Sequence, residues 1–202
     1  MAEQMNTTEK ILNLLQEKEI VSPRELQALG IAPSYLHRLY KQGLVVRLER
    51  GLYALPSLKI TEHHSLAIVG KRVSEGVICL LSALQFHDLT TQNPSHVWLA
   101  LPNRKRKPKI TYPPLRVIRL SAEALAVGIE EHRIEGVTVK IYNPAKTVAD
   151  CFKYRHKIGL DVAIEALQAC RAERKCSGDE LWRYAKICRV SSVMKPYLEV
   201  TG

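Results

Sequence analysis

Ser34, His37, Arg38 and Lys41 fall at helical spacing, and at 100° per residue they share one flank of a short helix that would begin at Pro33 and stop before Gly43. Leu36, Leu39 and Tyr40 take the opposite flank, which would dock on neighbouring helices. The chemistry open to the polar flank is recognition of a polyanion. Arg38 is suited to reading sequence, because its guanidinium fork matches the O6/N7 pair of guanine in the major groove. Ser34, Tyr35 and His37 lie in the N-terminal part of the same helix, nearest to base edges, while Lys41 sits a turn further on, where a phosphate would be met. Two further cations follow in β-prone runs: Arg47, and Arg50 at a turn tip that suits the minor groove. Ser22 heads the preceding helix, whose free N–H groups suit a phosphate.

Patterns for catalysis are missing. There is no G-x-x-x-x-G-K-S/T phosphate loop and no H-E-x-x-H zinc helix. His63 and His64 are adjacent, so on a helix they point about 100° apart and do not share a metal; they read as a solvated helix start. A nucleotidyltransferase would need Gly-Ser and paired aspartates for its metal ions, and neither Gly-Ser nor D-x-D occurs. Thr138-Val139-Lys140 has threonine where a nuclease of the E-x-K type needs its carboxylate. Asp150 lies in an apolar helix and reads as a structural carboxylate paired with Lys146 at i, i+4. His87, His96, His132 and His156 show no partner spacing. Five cysteines without a C-x-x-C pair read as buried reduced thiols, not as a disulfide framework or zinc knuckle. The expectation is therefore a protein with no catalytic residue, no metal and no cofactor.

These residues must be positioned by a folded chain, and the composition allows one. With 202 residues, 46% hydrophobic and 25% charged, it falls in the globular range and has room for two small domains. The longest apolar run, residues 76–81, is far short of the roughly 20 residues of a membrane span. The N-terminal MAEQMNTTEK does not resemble a secretory signal, so a cytoplasmic location is expected. Thirty basic against 20 acidic side chains give +10, which favours a polyanionic partner.

Residues 1–58 read as one domain. Helices are expected over 7–18, over 23–29 with the S-x-x-E box of Ser22 and Glu25, and from Pro33; Gly30 would close the second. A hairpin of residues 44–48 and 52–55 turns at Glu49-Arg50-Gly51. Three helices and a hairpin make a winged helix-turn-helix. Residues 62–202 read as a mixed α/β domain that ends in helices. Helix is expected at 62–74, 80–87 and 121–126, strand at 76–79, 97–101 and 115–120, and a hairpin over 129–134 and 137–142. Helices then start at Asn143-Pro144, Asp161, Ser177 and about 190. The fold class is thus α+β. Only +2 of the net charge lies in the first 60 residues. The densest part of the remainder is Arg104, Lys105, Arg106, Lys107 and Lys109, an exposed loop between two strands that could add phosphate contacts.

The order Leu26, Leu29-Gly30-Ile31, Leu36, Leu39, Gly43-Leu44 and Arg50-Gly51-Leu52-Tyr53-Ala54-Leu55 resembles the winged-helix domain of the AbiEi antitoxins of bacterial abortive-infection, or type IV toxin-antitoxin, systems. Residues 76–84 with His87, Pro94 and Val97-Trp98-Leu99-Ala100 are similar to the start of that family's second domain, and residues 142–150 to its later strand-to-helix segment. The resemblance implies a repressor of its own operon whose winged helix binds promoter inverted repeats in double-stranded DNA, with self-association on the DNA. It also implies action against a cognate nucleotidyltransferase toxin through the C-terminal domain, without a required stable complex. Carried over by position, the DNA role falls on Ser34, Tyr35, Arg38 and Arg50; no residue is assigned to antitoxicity. The alternative is a ligand-responsive winged-helix regulator with no toxin partner. An unrecognised nucleic-acid-processing enzyme and a module that binds an acidic protein are further rivals.

Overall fold

The computed structural model describes residues 6–200, which form two compact units: the first runs to Ala67 and takes in Arg133–Thr138, and the second comprises Ile68–His132 and the chain from Val139 onward. In the first unit, α1 (Thr7–Lys18) opens on a capping box in which Asn6 gives its N–H to Glu9 at 3.0 Å. Ile20–Val21, which no local pattern singles out, form strand β1. Next, α2 (Pro23–Ala28) opens on the expected Ser22–Glu25 box and ends at Gly30, whose φ of +73° only glycine adopts without strain. Residues 29–33 turn the chain into α3 (Ser34–Lys41). The hairpin of β2 (Val46–Glu49) and β3 (Leu52–Ala54) turns at Gly51, and β1 adds to β3 with Ile20 opposite Ala54, giving an antiparallel sheet of order β1-β3-β2. Ile11, Leu15, Val21, Leu26, Leu36, Leu39, Val45 and Tyr53 fill the core. This is a winged helix-turn-helix.

The first unit also holds a turn from far along the chain. Gly136 approaches α1 so closely that a Cβ would meet the Lys18 carbonyl oxygen inside van der Waals distance, so only glycine fits. Arg133 Nη2 donates to the Glu17 carbonyl at 3.2 Å. Glu135 Oε1 accepts from Thr61 N and Oγ1 at 2.8 and 2.9 Å, and Oε2 lies 2.5 Å from His64 Nδ1. His64 is therefore not the solvated residue that its position suggests; the Glu135 carboxylate orders it.

The chain leaves the first unit within α4 (His64–Arg72) and continues through β4 (Val77–Ile78), α5 (Leu80–Phe86), β5 (Val97–Pro102), β6 (Leu115–Leu120), α6 (Ala122–Ala126), β7 (Ile129–Ile134) and β8 (Val137–Tyr142). The five strands are ordered β6-β5-β4-β8-β7, with β4 antiparallel to β5 and parallel to β8. β5 and β6, though consecutive, run parallel from Val97 opposite Leu115 to Pro102 opposite Leu120. Parallel neighbours need a crossover, usually through a helix; here residues 103–114 make it without one.

Helices complete the second unit: α7 (Pro144–Lys153), α8 (Arg155–Ile158), α9 (Leu160–Ala172), α10 (Gly178–Ile187) and α11 (Ser191–Val200). Of these, α8 is absent from the expected set. Every residue of α7 from 145 to 152 is buried, the signature of a helix surrounded by its neighbours. Lys146 Nζ lies 2.5 Å from Asp150 Oδ2 with both side chains fully buried, the pairing expected from their spacing. Cys188 Sγ donates to Asp150 Oδ1 at 3.2 Å, and the Lys146 ammonium lies 4.2 Å from the Tyr142 ring centre.

The reading of all five cysteines as reduced thiols is corrected. Cys79, Cys151 and Cys188 are free and buried, but Cys170 and Cys176 form a disulfide with Cα atoms 5.7 Å apart. After α9 the chain reverses through Arg174, in left-handed conformation, and Lys175 N donates to the Cys170 carbonyl at 2.9 Å, which folds Cys176 back over Cys170. Burial, then the Asp150 carboxylate, pushes the Cys188 thiol up to about 12, and both raise Cys79 and Cys151 as well, so these three thiols are poor nucleophiles. Among the described residues no helix is long and apolar enough to cross a membrane.

Candidate nucleic-acid interface

The candidate interface is built on α3. Its sequence, SYLHRLYK, contains no carboxylate, and its start at Pro33 carries no side-chain cap. Leu36 and Leu39, three residues apart, are 0% exposed in the core and set the rotation of the helix. That rotation leaves Ser34, His37, Arg38 and Lys41 exposed on the other side, with Tyr35 half-buried between the two. The Arg38 guanidinium lies 4.3 Å from the Tyr35 ring centre. Such stacking holds the fork against the helix while its N–H donors stay open to solvent.

Tyr40 departs from expectation. Assigned by periodicity to the apolar flank, it is 44% exposed, with its ring centre 6.5 Å from both His37 and Tyr53. It sits at the border between the flanks, where a ring can bury one edge and leave its hydroxyl in water. The outward face is thus broader and more aromatic than helical periodicity indicates. The signal available in the sequence is the residue type, since tyrosine tolerates a border position that leucine does not.

The wing supplies Arg47 and Arg50, both exposed. Arg47 Nε donates to the Glu49 carbonyl at 3.4 Å, and the ladder between β2 and β3 shifts register between Arg47 and Glu49. A bulge of this kind increases local twist and re-aims the side chains next to it. Ser22 is differently placed: half-buried, it gives both its N–H and hydroxyl to Glu25, whose Oε1 also lies 3.6 Å from Lys18 Nζ. The start of α2 therefore already holds a carboxylate. Arg104, Lys105, Arg106, Lys107 and Lys109 belong to the 103–114 crossover in the second unit, largely exposed, and Lys105 Nζ pairs with Glu75 at 2.8 Å.

Among the described residues no group of three or more His, Cys, Asp or Glu side chains is arranged to hold a metal ion. His87, whose Nε2 lies 2.8 Å from the Tyr142 carbonyl oxygen, is half-buried beside Phe86 and His132; burial lowers its basicity.

Residues 9–56 match the model of a family described as transcriptional regulator, AbiEi antitoxin. The matched segment contains α1 from its third residue on, α2, α3 and the wing, and with them the residues that carry the resemblance to AbiEi antitoxins in this region; the motifs at 76–100 and 142–150 lie beyond it. Among solved structures, the crystal structure of the RV2827C protein from Mycobacterium tuberculosis is similar in fold, with a TM-score of 0.62 at 16% sequence identity, over 96% of this chain and 76% of that one. No curated protein sequence matches the chain.

Proposed function

We propose that the first unit is the DNA-binding element of a transcriptional repressor and that the whole chain acts as the antitoxin of a type IV toxin-antitoxin pair. The observation that carries the DNA reading is the division of α3: two leucines locked in the core hold Arg38, His37 and Lys41 outward on a helix with no carboxylate of its own. The match of residues 9–56 to the AbiEi antitoxin regulators supports the same reading from a separate direction. In this account the N-terminal half of α3 enters the major groove, where Arg38 takes a guanine edge and Ser34, Tyr35 and His37 lie beside it. Lys41 meets a phosphate, and Arg50 reaches the neighbouring minor groove from the wing. Two copies on an inverted repeat in the chain's own promoter would occupy successive major grooves and exclude polymerase.

The second unit is assigned the antitoxic activity, against a nucleotidyltransferase-type toxin in the cytoplasm. That assignment rests on the family resemblance, and no residue is named for it. Two experiments test the reading. Footprinting on the DNA upstream of the coding sequence should protect an inverted repeat, and Arg38→Ala should weaken that binding by about 1–3 kcal/mol at fixed salt while relaxing base preference; unchanged preference removes Arg38 as a reader. Co-expression with a toxin encoded alongside should restore growth, and continued growth arrest would refute the antitoxin role.

A further inference from the structure

Along α1, Thr7, Lys10, Leu14 and Glu17 recur at intervals of three and four residues and so form one stripe. It is distinct from the stripe that α1 buries, where Ile11 and Leu15 enter the core. These four residues line a groove of about 710 Å³ in the first unit, together with the α2–α3 turn, Leu29 and Ile31 among its residues, and Tyr35. Leu29, which ends α2, is 59% exposed, and Leu14 and Ile31 are half-buried. One exposed leucine is ordinary, but apolar side chains from two elements gathered in one groove mark a surface that meets another protein.

The charges of the groove select the protein. Lys10 and Glu17 stand seven residues apart, about 10 Å along a helix that rises 1.5 Å per residue, too far to pair with each other. Among the described residues neither side chain meets an opposite charge, and Arg133 takes the Glu17 carbonyl, not its carboxylate. A polyanion is repelled at Glu17 as it is drawn to Lys10, so the groove does not extend the cationic face of α3. A surface with lysine at one end, glutamate at the other and leucine between is complementary to itself when turned about a two-fold axis. Lys10 then meets the partner's Glu17, Glu17 meets the partner's Lys10, and Leu14 lies near the axis.

We propose that this groove is a docking surface for a second copy of the chain, α1 packing antiparallel on α1 with Leu29 and Ile31 flanking the contact. Its use in holding two copies on an inverted repeat rests on the DNA reading above. The self-association does not, since Lys10, Leu14, Glu17 and Leu29 all lie outside α3.

The test is sedimentation of the full chain at rising concentration without DNA. The parent should pass from monomer to dimer. Lys10→Glu and Glu17→Lys should each weaken the dimer by roughly tenfold, because two attractive pairs become repulsive. An equimolar mixture of the two variants should associate as the parent does, since every contact between positions 10 and 17 then joins opposite charges. Leu29→Asp, at a position largely in water, should leave the fold intact and remove the dimer. A parent that stays monomeric at millimolar concentration would overturn the proposal, as would single variants that associate like the parent, a mixture that does not associate, or a dimer indifferent to Leu29→Asp. Footprinting keeps the two readings apart: Leu29→Asp should still protect a single half-site, whereas a dimeric parent that protects no DNA would refute the DNA reading and leave the docking surface standing.

Discussion

Helices α3 and α7 both carry basic residues close to apolar ones, and they put them to opposite uses. On α3 the cations share a face with no acid, and Leu36 and Leu39, with half-buried Tyr35 beside them, anchor the helix. On α7, Lys146 and Asp150 are fully buried, each supplying what the other needs. Exposed charges contribute little to stability and stay available to a partner. Buried charges are satisfied inside, and removing one leaves the other stranded in a medium that solvates it poorly. A basic residue thus acquires its role from what surrounds it after folding, and net charge is a weak guide to function.

Removing one buried partner puts the greatest strain on this contrast. Lys146→Met should destabilise the chain by about 3–5 kcal/mol in urea denaturation, whereas replacing both Lys146→Met and Asp150→Leu should recover most of that loss. A single variant as stable as the parent would mean that the pair is not isolated from water. Next in size, Arg38→Ala should lower affinity for the operator without shifting the denaturation midpoint, since nothing in the core depends on it. A fall in stability equal to the fall in affinity would erase the distinction between the two helices.

Smaller effects separate exposed from enclosed charge more finely. Neutralising Arg104, Arg106 and Lys109 should reduce the log–log salt slope of DNA binding by about 0.9 for each phosphate that these side chains neutralise; an unaltered slope would assign the crossover no part in DNA binding. The smallest effect concerns His87, whose folded-state basicity is lowered chiefly by burial from the ordinary value of 6.5. Below pH 6.5 the unfolded chain takes up a proton that the folded chain resists, so stability should decline as pH falls from 6.5 toward the folded value. His87→Gln should flatten this part of the stability profile measured by thermal melts.

Much of the fold is legible in the sequence because its signals are local. The boxes at Ser22–Glu25 and Ser177–Glu180 form as their spacing requires, and Asn143 accepts from Lys146 N at the start of α7. The wing turns at Gly51, and the hairpin of β7 and β8 turns at Glu135-Gly136. On α3 the exposed positions of Ser34, His37, Arg38 and Lys41 follow from the leucines between them. Tyr40 escapes the pattern because a border residue belongs to neither side of a binary division. Ser22 looks like a phosphate donor until the structure shows that the capping Glu25 takes both of its donors.

Sequence alone is enough for what three or four neighbouring residues decide together: caps, turn glycines, helix faces and the i, i+4 pairing of Lys146 with Asp150. Folding in three dimensions was needed for the addition of β1 to the wing, the parallel run of β5 beside β6 and the approach of Gly136 to Lys18. Range explains the division. Backbone propensity and side-chain periodicity act over a turn or two of chain, whereas these meetings depend on how whole elements pack, and nothing in the spacing of residues a dozen or a hundred positions apart encodes that they will come together.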